Sequence, residues 1–466
     1  MSILGGAKSA VKKVFDNIRN EKLKDNLLQA VPYWVASLLT GLIAVVFTRF
    51  FAFAEQGTSY IFLNHRLWLF LLTPICFLLS WWLVMRFAPY AKGSGIPQVM
   101  ASIELANPKT MRLVDKLLGL RIMLIKILSS LIMVFGGGVI GREGPTIQIA
   151  GSIFRKVHAW LPRWWPKISR KTMIMTGAAA GLAAAFNTPL GGIVFAVEEL
   201  TKTHISYFKT ALFTAVIIAG LTAQGILGPY LYLGYPNVSN LSAYVLVVVV
   251  IIAIIAGLAG SITSKIILKL LRWKSRFRNW KQHTTYIIIS ALIITSIALL
   301  FDQNILGSGK ALITQTLFTD AKFVHWYTAV FRTIGPIICF TTGVSGGVFA
   351  PSLSAGASIG SVLAGWFHLS ASDTNVVILA GMVSFLTGVT RSPFTSAILV
   401  LEMTDRHSLI FHLMLAGMVA SMVSLVIDKH SIYDHLSRDY IRSVVQEEQE
   451  PLSGEENPIG TVPDKS

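Results

Sequence analysis

Long apolar runs separated by short polar or basic stretches set the pattern of this chain. They cover residues 33–48, 67–84, 211–227, 243–262, 286–300, 376–401 and 409–427, the sixth interrupted by Arg391 alone. Several approach the ~20 residues that a helical bilayer crossing needs. The pattern predicts an all-α polytopic membrane protein. Composition agrees: 53% of the 466 residues are hydrophobic and 14% charged, against ~25% charged in soluble domains.

The net charge of +17 would suggest nucleic acid in a soluble protein, but its placement argues otherwise. Residues 155–171 hold six Lys/Arg and no acid, and residues 265–281 hold seven and none. Both stretches lie between apolar runs, as expected of cytoplasmic loops. The uncharged loop 228–242 is expected on the opposite side. The basic N-terminus, with Lys429, Arg438 and Arg442 near the other end, places both termini in the cytoplasm. No nucleic-acid partner is expected.

Residues 1–30 read as an amphipathic basic helix lying on the membrane, with Val11, Val14, Phe15 and Ile18 on one face and Lys8, Lys12 and Arg19 polar. A cleaved signal peptide fits poorly, because no long apolar core follows the first basic residues. Residues 441–466 are polar and rich in Glu, Gly and Pro, and are expected to be disordered. Cys76 and Cys339 sit in apolar runs and read as inert core thiols.

One apolar region carries a charged motif, Gly141-Arg142-Glu143-Gly144-Pro145. It reads either as a loop between two crossings or as a break within one. The flanking apolar halves are short for two complete crossings, which favours the break. Pro145 marks the start of a new helix, since a proline at the first helical position loses no hydrogen bond. That helix start would offer free N–H groups and partial positive charge to a buried cavity, where an anion is stable.

The chain also repeats itself. Gly177, Pro189 and Glu198 recur as Gly381, Pro393 and Glu402 at an offset of 204, and Gly141-x-x-x-Pro145 recurs as Gly347-x-x-x-Pro351 at an offset of 206. Two repeats, residues 31–235 and 236–440, are therefore expected. In transporters such copies are often inverted, with the site where their broken helices meet. Glu198 and its copy Glu402 suggest a shared structural role. Glu143 faces Phe349 in the alignment, and Glu199 faces Met403. Those two unmatched acids are the functional candidates, because an acid at a helix centre costs ~2.5–3.5 kcal/mol to insert.

With these residues assembled, the sequence closely resembles the CLC family of chloride channels and chloride/proton antiporters, its bacterial antiporters in particular. The resemblance rests on Gly93-Ser94-Gly95-Ile96-Pro97, Gly141-Arg142-Glu143-Gly144-Pro145, Gly347-Val348-Phe349-Ala350-Pro351 and Tyr433, and spans roughly residues 30–440. It implies a fold of two inverted repeats with broken, tilted helices, and a homodimer with one pathway per subunit. It implies a chloride site formed by the Ser94 and Tyr433 hydroxyls and the amides of Val348 and Phe349. Glu143 would be the external gate and proton acceptor. Glu199 would be the internal proton-transfer acid, a position whose acid accompanies exchange in the family. Arg142 would be structural or a general attractor, and Lys126 matches a basic family position. Serine at position 94 points to chloride, with bromide and nitrate as weaker substrates. No cofactor is implied, and a bacterial inner membrane is the natural setting.

The sequence departs from the family pattern in three places. Val344-Ser345 precede the paired glycines, Val348 replaces a commoner Ile, and Gln98 stands where many members have Glu. A channel of the same fold is the nearest rival reading, and Glu199 argues against it. A cation- or solute-coupled carrier should show clustered coordinating carboxylates, whereas these motifs offer N–H and hydroxyl donors. An enzyme is disfavoured: Gly307-Ser308-Gly309-Lys310 lacks the full spacing of a phosphate loop, and no His-Glu-x-x-His pattern occurs.

Overall fold

The computed structural model describes residues 15–16, 19–201, 209–228 and 232–453. The first half comprises α1 (Glu21–His65), α2 (Leu69–Phe87), α3 (Ile96–Leu105), α4 (Met111–Leu117), α5 (Leu120–Phe135), α6 (Glu143–Trp160), α7 (Arg170–Phe186), α8 (Pro189–Phe195) and α9 (Lys209–Leu227). The second comprises α10 (Val245–Lys274), α11 (Trp280–Leu300), α12 (Lys310–Phe318), α13 (Trp326–Thr341), α14 (Phe349–Trp366), α15 (Ala371–Thr390), α16 (Pro393–Thr404), α17 (Ile410–Ile427) and α18 (Ile432–Ser453). Among the described residues, seven helical stretches are long and apolar enough to cross a membrane, and the apolar runs overlap six of them; the seventh is Met111–Phe135.

The run 376–401 is two helices. Arg391 adopts a left-handed conformation (φ 63°) and ends α15, and Pro393 opens α16. Proline tolerates the first turn of a helix but not its interior. The core lies around α15, in which every residue from Asp373 to Thr390 is buried. Close backbone approach explains this. A side chain at Gly356 would collide with the carbonyl of Gly381, and one at Gly388 with that of Gly257. Small residues let helices pack this tightly where no hydrophobic force separates protein from lipid.

Two expectations require correction. The boundary at residue 30 falls inside α1, which starts at Glu21 behind Asn20, whose side chain accepts from Leu23 N at 3.1 Å; most of 1–20 lies outside the described residues. The tail expected to be disordered from 441 is helical through Ser453. Tyr440 and Val444, one helical turn apart, are buried, and Glu447 accepts from the Tyr90 hydroxyl at 2.6 Å and pairs with Lys116 at 3.4 Å. The polar composition conceals an apolar stripe that docks this helix. Residues 454–466 lie outside the description.

Candidate functional site

Three helix starts converge at the site. α6 begins at Glu143 behind Arg142, and α14 begins at Phe349 behind Val348, so the two motifs start their helices in the same register. Pro145 stands at the third helical position, two residues later than expected. Its missing N–H still falls in the first turn, where amides lack intrahelical partners. α3 follows Gly95, whose φ of 105° suits glycine. A Cβ there would also come within 2.7 Å of the Gly144 carbonyl, so the first two motifs touch.

Backbone pairing ties the two halves together. Gly141 N donates to Gly347 O at 2.7 Å and Gly347 N donates back to Gly141 O at 2.9 Å. Gly93 N donates to Val344 O at 2.7 Å, and Gly346 N to Gly93 O at 3.1 Å. The fully buried Lys126 donates to the carbonyls of Ala91 and Gly93, both at 2.9 Å, bracing the turn before Ser94. The residues that depart from the family pattern serve the same turn. Ser345 N donates to Ser129 Oγ at 3.1 Å, and Gln98 Nε2 donates to the carbonyls of Lys92 (2.6 Å) and Tyr90 (3.1 Å). A carboxylate at 98 would have no proton to offer them.

The expected anion ligands meet here. Ser94 is 1% exposed, Val348 3%, and Phe349, Tyr433 and Glu143 are fully buried. Tyr433, at the start of α18, has Ser94, Glu199 and Glu143 as its polar neighbours. A side chain at Gly144 would collide with Ser94 Oγ, and one at Gly141 with the Glu143 carboxylate. That carboxylate lies among Arg142, Glu55 and the amides of Glu143 itself and Ala350. Its oxygens face the amides of Glu143 and Ala350 and the Tyr433 hydroxyl faces that of Ser94, but none of these contacts has full hydrogen-bond geometry. Buried polar atoms are ordinarily paired, and each one left bare costs ~1–3 kcal/mol. Two loosely held hydroxyls beside a loosely held carboxylate, at facing helix N-termini, can exchange one negative group for another.

Glu199 lies half-buried in a wider, π-helical turn, Ala196–Leu200, that continues α8. Its Oε2 accepts from Ser392 Oγ at 2.5 Å. Sequence reasoning missed Ser392, although it copies Thr188 at the repeat offset. The neighbouring acids cap each other's repeat. Glu198 accepts from Phe394 N (3.2 Å) and Thr395 N (2.6 Å) at the start of α16, and Glu402 accepts from Leu190 N (3.1 Å) and Gly191 N (2.9 Å) at the start of α8. The shared role inferred for this pair is reciprocal helix capping.

Beside Glu143, the mostly buried Arg142 donates to Thr48 O at 3.4 Å. Its guanidinium lies 5.8 Å from the Tyr232 ring, and Lys310 Nζ lies 4.4 Å from the same ring. Phe186 packs edge-on against Tyr232 and tilted against Phe349. Lys310 was set aside with the phosphate-loop-like stretch. That stretch is a turn wrapped on Arg332, which donates to the carbonyls of Ile305 (2.9 Å) and Gly307 (3.1 Å). No group of three or more metal-ligating side chains occurs among the described residues.

Fold and site together define a polytopic anion-transport protein built on interrupted helices. A family model described as "Voltage gated chloride channel" matches residues 76–425. The chain belongs to the CLC family. It is similar to the "H(+)/Cl(-) exchange transporter ClcA" of Cronobacter sakazakii, at 29% identity over 86% of this chain and 87% of the relative. The protein of the same name from Salmonella schwarzengrund is 28% identical over 95% and 94%. Among solved structures, a slow cyanobacterial Cl-/H+ antiporter matches with a TM-score of 0.77 at 26% identity, covering 90% of this chain and 99% of that one. A CLC-type fluoride/proton antiporter shares the fold, with a TM-score of 0.72 at 23% identity over 88% and 98%. Membership makes this a membrane transport protein, not an enzyme.

Proposed function

We propose that this protein exchanges chloride for protons, with Glu143 as the gate. The observation that carries the reading is the fully buried Glu143 carboxylate beside the buried hydroxyls of Ser94 and Tyr433. The ionised carboxylate acts as a tethered anion at the α6 and α14 N-termini and blocks the path. Once protonated, it loses its attraction to those helix ends, swings aside, and chloride takes its place. The Ser94 and Tyr433 hydroxyls and the Val348 and Phe349 amides then hold the ion. Neutral donors attract chloride without trapping it as a full Lys charge would. Proton and anion thus compete for one location.

Glu199 serves as the internal proton-transfer acid, and its presence favours exchange over a channel without obligatory proton coupling. The names of the curated relatives point the same way. Ser94 supports chloride as the anion. The same reading makes the protein a homodimer in a bacterial inner membrane, with both termini cytoplasmic and a separate pathway in each subunit. Proteoliposome flux with chloride and proton electrodes tests it. A chloride gradient should drive uphill proton movement at a fixed ratio; chloride flux without proton movement would establish the channel reading instead.

A further inference from the structure

Away from the transport pathway, a cleft of about 250 Å³ opens where the C-terminal end of α6, the start of α7 and the short helix α4 meet. Its lining includes Arg112, Arg155, Arg170, His158 and one acid, Asp115. Asp115 is already paired with Arg155. Arg170 and Arg155 lie close enough to repel each other, and both repel positive charge on His158. The His158 ring is held by Nε2, 3.0 Å from the Ile168 carbonyl. Three guanidinium groups thus share one carboxylate around an open space. α7 starts at this cleft behind its Ser169 cap and adds the positive end of a 17-residue helix.

From this arrangement we infer a second anion site that binds a phosphate group, for which the headgroup of an acidic phospholipid is the favoured source. Guanidinium groups match phosphate oxygens in a bidentate fork. Size supports a headgroup, because sites for drug-sized ligands run to ~300–1,000 Å³ and this cleft is smaller. Position favours a lipid. Trp160, at the end of α6, and Trp164, in the segment between α6 and α7, are 54% and 36% exposed, as are aromatic side chains at a membrane interface. Basic clefts between membrane helices hold anionic headgroups. The cleft lies on the side that carries α18, since α4 is bound to that helix through Lys116 and Glu447 at 3.4 Å.

The test uses the full chain in nanodiscs of phosphatidylcholine with or without phosphatidylglycerol, with native mass spectrometry reading the lipid retained per subunit. In parallel, detergent-solubilised protein is melted with inorganic phosphate against chloride at equal ionic strength. Arg112 and Arg170 are exposed, so the double variant R112Q/R170Q should fold, and its melting point in phosphatidylcholine alone checks this. Retention of phosphatidylglycerol should be roughly thirtyfold weaker in that variant. A159E, which places an acid at the lining, should do the same. Protection by inorganic phosphate, lost in both variants and without lipid retention, would support the site with free phosphate as its source. Equal retention in wild type and both variants, with no protection by phosphate, would overturn it.

Discussion

Glu402→Ala removes the acceptor for two amides at the start of α8, those of Leu190 and Gly191. A hydrogen bond to a charged group contributes ~1.5–3 kcal/mol. The Gly191 bond is partly buried and counts fully, whereas the Leu190 bond lies at the surface and is discounted. A loss of roughly 2–4 kcal/mol follows, at or above the top of the range for helix-cap deletions. For a chain of this length that corresponds to a fall in melting temperature of roughly 2–4 °C. Intrinsic tryptophan fluorescence during a thermal ramp in mild detergent reads it directly. Glu402→Gln keeps one acceptor oxygen and should fall about half as far. Glu198→Ala should fall at least as far as Glu402→Ala, because its carboxylate occupies the equivalent place at the start of α16 and also accepts from the Thr395 hydroxyl at 2.7 Å. Melting of either variant within ~1 °C of wild type would refute reciprocal capping.

Glu143→Gln should abolish chloride-driven proton uptake while chloride still passes; a proton signal in liposomes bearing the variant removes Glu143 as the gate. Glu199→Gln should stop proton movement and spare chloride flux, and retained exchange dismisses Glu199 as the relay. Ser392→Ala deletes a hydroxyl donor to Glu199 and should slow proton transport more than chloride transport, read with paired electrodes; equal slowing assigns Ser392 to packing. Tyr433→Ala should loosen coupling and weaken central anion binding by calorimetry, and unchanged affinity refutes that contact.

The repeat was legible because its markers, Gly, Pro and Glu at offsets of 204 and 206, are the residues that start and cap helices. The partners of the caps were not legible: Glu198 reaches α16 across 196 residues of chain, and no local pattern encodes that. Run 376–401 shows the limit of hydropathy, since the run stays apolar on both sides of the left-handed turn at Arg391 that interrupts the helix. The helix through Ser453 was hidden by its charges, although Tyr440 and Val444 stand one turn apart and face inward. Ser94, Val348, Phe349, Tyr433 and Glu143 could be nominated from motifs. That they are buried beside one another required coordinates. Ser392 could have been found by copying Thr188 across the repeat.

The reciprocal hydrogen bonds between Gly141 and Gly347 also restrict how such a protein can move. Prising α6 from α14 would strip two amides and two carbonyls of partners where little water can replace them, at a cost of several kcal/mol. Turning one carboxylate about its own χ angles breaks none of those bonds. With Glu143 as the proposed gate, a mouth stapled along its backbone would open most cheaply by swinging a single latch, a side chain moving in a fixed frame rather than one half rocking against the other.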